Sequence, residues 1–378
     1  MSAKEWMQRA IELAKFGANY VHPNPRVGAV IVKNNQIVAE GYHKYYGGPH
    51  AEIEAIENAK GIELEGATLV VTLEPCVHFG KTPPCVDAII EKKFAKVIVG
   101  TIDPNPFVSG KGVEKLRAAG IEVYVGVLEN ECKWINRFFF KNMLENKPYI
   151  ILKVAQSLNG SIATQNDESQ WITSEESRRY GLLLRREVDA ILVGKTTAQK
   201  DNPALTLHEL EGKIPWRVIL DTNLSLPLEL KVFIDEVRKH TIVAVDEGLP
   251  PTRKLENLKI GGVKVLGVPT KNKMIDLAIL HEKLKDEYNV SAILVEGGAG
   301  VNSSYIRENL WDEVHFLVAP KIIPGGKNAS GSYPIQTLSE AINVHLLALE
   351  RIGPDFHIIG INPNNTFLNF NSQPQGIS

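Results

Sequence analysis

His50-Ala51-Glu52, then Pro75-Cys76, then Pro84-Cys85 form the stretch from which the first half of the chain can be read. One imidazole and two thiols make a three-ligand set of the kind that holds zinc and leaves a fourth tetrahedral position to water. A carboxylate two residues beyond the histidine is placed to shuttle that water's protons. Residues i and i+2 do not face each other along a helix, so His50 and Glu52 can converge only at a first turn. Gly47-Gly48-Pro49 just before them predicts such a start, with a helix running to about Ala59. Pro84 likewise opens a helix near Cys85, and two helix N-termini aimed at one metal favour thiolate over thiol. The competing reading is a structural zinc, which closes with a fourth protein ligand. His78 is a conceivable fourth, and Cys132 is distant.

Working outward, strands alternate with short helices. A helical apolar pattern covers 2–18, and Val27–Val32 with Ile37–Tyr42 reads as a hairpin around Asn34-Asn35. Buried-type strands follow at Thr68–Leu73, Lys96–Thr101 and Glu122–Val127, with helices over Val86–Lys92 and Gly112–Ala119. This alternation predicts an α/β sheet layered by helices. A polar run at Met143–Lys147, then Pro148, marks a boundary. The expected domains are therefore 1–147 and 148–362, and the Asn-, Pro- and Gln-rich residues 363–378 are expected to be disordered.

The second half alternates again, with strands from Tyr149–Ala155 through Glu313–Ala319 to Phe356–Ile361. Thr173-Ser174-Glu175-Glu176 reads as a capping box. Glu296-Gly297-Gly298-Ala299-Gly300 follows a strand and opens a helix placed at Asn302–Asn309, a turn that suits either a phosphate or plain packing. It lacks the spacing of a G-x-G-x-x-G loop, and Gly194-Lys195-Thr196-Thr197 is not a Walker A loop.

Composition narrows the classes. At 378 residues, two domains are the natural expectation, and 44% hydrophobic with 23% charged residues describes a globular chain. A net charge of -2 gives no electrostatic reason to expect nucleic acid. No apolar run approaches a membrane span, and the amphipathic N-terminus has no signal-peptide core. Three cysteines, an odd number with two of them claimed by zinc, argue against a disulfide framework, so the cytoplasm is expected.

Taken together, these stretches resemble one family over about residues 5–361: the bifunctional riboflavin-biosynthesis proteins that join a pyrimidine deaminase to a reductase. His50-Ala51-Glu52 with Pro75-Cys76 is the zinc-deaminase signature. Here, however, eight residues separate Cys76 from Cys85, including Thr82-Pro83-Pro84, and that long insert separates this family from nucleoside and nucleic-acid deaminases. His22-Pro23-Asn24-Pro25, Gly41-Tyr42-His43, Asp103-Pro104-Asn105-Pro106 and Gly110-Lys111-Gly112 extend the match. In the second half Lys153–Leu158, Ser169-Gln170-Trp171, Leu184-Arg185, Asp201-Asn202-Pro203 and Glu296-Gly297-Gly298 look like the family's dihydrofolate-reductase-like domain. Two positions depart from the pattern: Asn159 replaces an aspartate, and His208 an arginine.

The resemblance implies a cytidine-deaminase-like α/β/α domain followed by a dihydrofolate-reductase-like α/β domain. It implies Zn2+ on His50, Cys76 and Cys85 with Glu52 as the catalytic proton carrier. Asn24, His43, His78, Lys81, Asp103 and Asn105 would line the deaminase pocket. Ala155, Trp171, Thr197, Asp201, Gly297 and Gly298 would hold NADPH. Lys153, Ser169, Arg185, Leu205, His208 and Glu296 would face the reductase substrate, with Arg185 as phosphate clamp. The implied partners are phosphorylated pyrimidines and further copies of the chain, with neither nucleic acid nor membrane. A polynucleotide deaminase would need a basic, aromatic-lined groove and a short C-x-x-C, and neither is visible. A zinc-bearing scaffold is the non-catalytic rival, which the intact His50/Glu52/Cys76/Cys85 set opposes.

Overall fold

The computed structural model describes residues 1–77, 83–331, 334–365 and 367–368. Its chain divides into two compact units, Met1–Asn146 together with the segment that begins at Phe367, and Lys147–Thr366.

In the first unit the elements are α1 (Ala3–Lys15), β1 (Gly28–Lys33), β2 (Gln36–Tyr42), α2 (Ala51–Asn58), β3 (Thr68–Leu73) and α3 (Cys85–Glu91). They continue with β4 (Lys96–Thr101), α4 (Lys111–Ala118), β5 (Glu122–Val125), α5 (Glu129–Ile135) and α6 (Arg137–Glu145). The sheet order is β2-β1-β3-β4-β5, antiparallel through β1 and parallel from β3 to β5. Strand alternation sorts the core onto two faces. Ile31, Leu69, Val71 and Val97 pack with α2, α3 and α4 side chains, whereas Val30, Val70 and Ile98 pack with α1 and α5. Helices therefore cover both faces, which is why these strands read as unbroken apolar runs. The segment after β3 carries Cys76 and the one after β4 carries Asp103, both at the carboxyl ends of parallel strands, where α/β sheets bind ligands.

The second unit begins with β6 (Tyr149–Ser157), β7 (Ser161–Ala163), α7 (Glu175–Glu187), β8 (Ala190–Gly194), α8 (Lys195–Asp201) and β9 (Trp216–Leu220). After α9 (Lys231–Ile234) come β10 (Thr241–Asp246), α10 (Arg253–Ile260), β11 (Lys264–Val268), β12 (Thr270–Lys271) and β13 (Met274–Ile275). The last are α11 (Leu277–Tyr288), β14 (Ala292–Val295), α12 (Ala299–Arg307), β15 (Glu313–Ala319), β16 (Lys327–Asn328), β17 (His345–Ile352) and β18 (Asp355–Ile361). Nine strands form one sheet, ordered β11-β10-β9-β8-β14-β6-β15-β18-β17. It is parallel from β11 to β15 and closes with an antiparallel β18–β17 hairpin.

Four local expectations need correcting. The cap of α7 is Ser174, which accepts from Ser177 N–H, one residue later than the capping-box reading that put Thr173 there. Helix α12 starts at Ala299, because the glycine turn is shorter than its composition suggests. Strand β17 was not foreseen; its side chains are exposed or half-exposed throughout, so no period-2 burial pattern marks it. Finally, the segment from 363 is not unstructured at its start. Asn365, Phe367 and Leu368 are buried, and Phe367 stacks on Phe140 at 6.1 Å between ring centroids. The remainder of that segment lies outside the described residues.

Candidate active sites

His50 is the N-cap of α2, in extended conformation, and Glu52 lies in the first turn behind it. Cys85 is the first residue of α3, capped by Pro84. The first-turn geometry read from Gly-Gly-Pro and from Pro84 is thus what brings the set together. His50 Nδ1 lies 3.5 Å from Cys76 Sγ and 3.3 Å from Cys85 Sγ, and all three ligand atoms fall within 4.8 Å of one another. Tetrahedral zinc with ordinary Zn–N and Zn–S bonds needs an N···S edge of about 3.6 Å, so the set fits the ion. Among the described residues this is the one such His/Cys/Asp/Glu cluster. His78 and Lys81 lie outside the described residues.

The members of the set shift one another's protons. Cys76 is lowered, first by the hydrogen bond from the Cys85 thiol and then by His50, while Cys85 is raised by the same pairing and by burial. His50 is raised by its hydrogen bond with Cys76. Glu52 is buried and pushed up to about 7, chiefly by desolvation, with His50 opposing. Next to the set, the His43 ring stands edge-on to His50 at 5.4 Å. Its Nδ1 lies 2.8 Å from the Pro49 carbonyl and its Nε2 3.1 Å from the Asn24 amide. A neutral ring donating to Pro49 and accepting from Asn24 satisfies both contacts, and burial lowers the pKa accordingly. Asp103 is buried and raised to about 7, first by desolvation and then by Glu74 and Cys76. It accepts from Asn105 N–H at 2.8 Å, and Asn105 in turn accepts from Phe107 N–H at 3.0 Å.

The second unit gathers its residues differently. All twelve positions assigned to cofactor or reductase substrate line one groove of about 1610 Å³. Arg185 grips Glu296 with Nε at 2.7 Å and Nη2 at 2.9 Å, and donates Nη1 to the Thr206 carbonyl at 3.0 Å. Burial alone would raise Glu296, but Arg185 and Lys153 outweigh it and hold the carboxylate at about 2. Three of five guanidinium N–H groups are therefore directed into the protein. Ser169 Oγ meets Asp201 Oδ1 at 3.3 Å, and burial raises Asp201.

At Gly297 a Cβ would come within 2.5 Å of Val301 Cβ, and at Gly194 within 2.6 Å of Val301 Cγ2, so these turns admit only glycine. Gly298 caps α12 without a side chain, and Asn302 Oδ1 in the same groove is buried with no hydrogen-bond partner among the described residues. A backbone cradle with an unpartnered polar atom fits a large polar cofactor.

Comparison with known proteins follows the same division. The cytidine and deoxycytidylate deaminase zinc-binding region matches residues 1–101, and the RibD C-terminal domain matches 148–358. The riboflavin biosynthesis protein RibD of Aquifex aeolicus is 45% identical over 356 residues, covering 94% of this chain and 97% of that protein. The chain belongs to the RibD family. RibD of Escherichia coli is 36% identical, covering 95% of this chain and all of its own length, 100%. Among solved structures, a diaminohydroxyphosphoribosylaminopyrimidine deaminase/5-amino-6-(5-phosphoribosylamino)uracil reductase from Thermotoga maritima is 39% identical, with a TM-score of 0.84 over 95% of this chain and 98% of its own. Acinetobacter baumannii RibD is 36% identical with a TM-score of 0.83 over 95% and 98%.

Within this RibD chain, three residues at the sites make contacts that the sequence did not foretell. Glu74 is buried and binds four backbone N–H groups. Arg178 lies 4.6 Å above the exposed Trp171 ring and donates to the Thr173 carbonyl. Asn159, one of the two departures, donates to the Ile323 carbonyl and accepts from Ile323 N–H, both at 3.0 Å. An aspartate could accept but not donate there, so the substitution serves a backbone clamp. The Arg178 contacts reach back five and seven residues, beyond helical i, i+3 and i, i+4 spacing, and the Glu74 and Asn159 contacts are long-range.

Proposed function

We infer that the chain catalyses two successive steps of riboflavin biosynthesis. The first is zinc-dependent hydrolytic deamination of 2,5-diamino-6-(5-phosphoribosylamino)pyrimidin-4(3H)-one to 5-amino-6-(5-phosphoribosylamino)uracil. The second is NADPH-dependent reduction of the ribose to the ribityl 5'-phosphate. The observation that carries the reading is the convergence of His50, Cys76, Cys85 and Glu52 at two helix starts, in a chain with RibD relatives over nearly its whole length. The deaminase is assigned to 1–147 and the reductase to 148–362.

Zinc on His50, Cys76 and Cys85 would supply a Lewis acid that acidifies water. Glu52 takes a proton from water and delivers protons to the ring nitrogen and the departing amine. His43 fixes the Pro49 carbonyl just ahead of His50 and so orients the ligand, while Asn24, Asp103 and Asn105 contact the pyrimidine, with His78 and Lys81 assigned to the same pocket. In the reductase, NADPH would supply the hydride for C1′. Ala155, Trp171, Thr197, Asp201, Gly297 and Gly298 hold the cofactor. Arg185 anchors Glu296 and the Thr206 carbonyl, which orders Leu205 and His208, and Lys153 and Ser169 face the opened sugar.

The chain works as a homo-oligomer in the cytoplasm. Edge strand β17 supports assembly, since Leu346 and Leu349 are exposed on a strand that, among the described residues, pairs on one side only. Three unpaired cysteines support a reducing compartment. Ammonia release from the diaminopyrimidine, measured with zinc content, tests the first step; NADPH oxidation with the deaminated pyrimidine tests the second. A zinc-loaded chain inert toward both compounds would overturn the reading.

A further inference from the structure

Glu74 stands two residues before the Cys76 ligand, at the end of β3, and is 3% exposed. Its Oε2 accepts from Asp103 N–H at 3.2 Å and Gly110 N–H at 2.9 Å. Its Oε1 accepts from Gly112 N–H at 2.8 Å and Val113 N–H at 3.2 Å. Asp103 lies near the start, and Gly110 at the end, of the loop between β4 and α4. Gly112 and Val113 belong to the first turn of α4, whose N-cap is Gly110 and carries no capping side chain. One carboxylate therefore closes the loop at both ends and caps the next helix, at the pole where negative charge is favoured.

The loop sequence conforms to that role. Gly110 has φ +84, a left-handed conformation that suits glycine. At Gly112 a Cβ would lie 2.3 Å from the Pro75 carbonyl oxygen and 3.0 Å from Glu74 Oε1, so a side chain would push the helix off both. Between the two ends the loop is tied to itself: Asn105 N–H donates to Asp103 Oδ1, and Phe107 N–H donates to Asn105 Oδ1. With its interior fixed, the placement of Asp103 and Asn105 relative to Cys76 depends on the Glu74 clasp.

We propose that Glu74 is a positioning residue for the deamination, a buried carboxylate that clamps the Asp103–Gly110 loop to the segment bearing Cys76 and thereby sets substrate affinity without touching the substrate. It rests on the reading of Asp103 and Asn105 as substrate contacts. A role in stability alone would lower the melting temperature and leave KM where it is.

The test is made on the full, zinc-loaded chain. Glu74→Gln keeps the shape but turns one acceptor oxygen into an amide that faces N–H donors. The expected result is a KM for the diaminopyrimidine raised about tenfold or more, with kcat changed by less than about threefold. Zinc content and NADPH oxidation with the deaminated pyrimidine stay at parent levels, and the Gly112 and Val113 amides exchange faster with solvent. Gly112→Ala attacks the clasp from the loop side and should give the same KM increase; it carries the test if Glu74→Gln does not fold. An unchanged KM in the folded variant, or a loss of kcat at unchanged KM, overturns the proposal. Asn105→Ala separates the two layers. If it leaves KM unchanged, the substrate reading fails and the proposal with it; if it raises KM while Glu74→Gln does not, the proposal alone fails.

Discussion

The two units build their sites in opposite ways. In the first, functional groups are buried or half-buried and held largely by backbone: His50 and Cys85 sit at helix starts, His43 meets the Pro49 carbonyl, and Glu74 gathers four N–H groups. In the second, the residues line a groove of about 1610 Å³ and are fixed mainly by side chains, above all the Arg185–Glu296 pair. A small planar ring attacked by water can be handled in a preformed pocket. A hydride transfer must admit a dinucleotide beside the phosphorylated pyrimidine, which requires an open groove. The lesson is that one chain places its rigid geometry where protons are moved and its open surface where large ligands enter.

The contrast can be broken most severely at Glu52. Glu52→Gln should keep the zinc and lower ammonia release by about 10²–10⁴, while leaving NADPH oxidation with the deaminated pyrimidine intact. Retained deamination in the metal-loaded variant would remove Glu52 from the chemistry.

At the other site, Glu296→Gln takes the counter-charge from the Arg185 guanidinium in a buried position. Breaking such a pair costs about 3–5 kcal/mol, so the second unit should melt earlier and lose reductase activity. Arg185→Met with Glu296→Leu should recover much of the melting temperature but not the activity. Recovery of both would mean that the pair only fills space.

The units should also answer acid with opposite signs. Asp103 is raised from 3.8 to about 7, so the fold prefers the neutral acid; its contribution is full below about pH 3.8 and is lost as pH rises through about 7. His281 is lowered from 6.5 to about 3 by burial and meets the Tyr305 hydroxyl at 2.9 Å. The fold prefers its neutral ring, and that contribution is full above pH 6.5 and is lost as pH falls through about 3. Between pH 6.5 and 4, Asp103→Asn should therefore remove a stabilising slope from the first unit, and His281→Asn a destabilising one from the second. Each is at most about 1.4 kcal/mol per pH unit. Melting curves of variant against parent at each pH measure the difference; slopes of the same sign would refute it.

The smallest effect is expected at His208, which lines the groove with φ +51. His208→Arg should lower the reductase KM for phosphorylated substrate a few-fold, because a planar guanidinium carries a permanent charge and meets phosphate oxygens bidentately. Equal KM values in variant and parent would place His208 away from the phosphate.

What the sequence made legible follows from the range of the interactions. Strands such as Thr68–Leu73 and Ala190–Gly194 are buried on both faces and so read directly as apolar runs. The helix starts at His50 and Cys85 were announced by adjacent glycine and proline. Strand β17 was hidden because its side chains are exposed on both faces. Glu74 was hidden because its partners lie 29 to 39 residues away, and the inward grip of Arg185 because Glu296 is 111 residues away. A motif shows that a glutamate is present, but the identity of the N–H groups it accepts is set by the fold.

The most direct test of two sites acting in sequence follows both products in one reaction. The zinc-loaded chain is given the diaminopyrimidine and NADPH, and a zinc chelator is added after part of the substrate has turned over. Ammonia should appear first and NADPH oxidation after a lag, reaching equal amounts at completion in the untreated reaction. After the chelator, ammonia release should stop while NADPH oxidation continues until the accumulated deaminated pyrimidine is consumed. NADPH oxidation that precedes ammonia, or that stops together with it while deaminated pyrimidine remains, would contradict the two-site account.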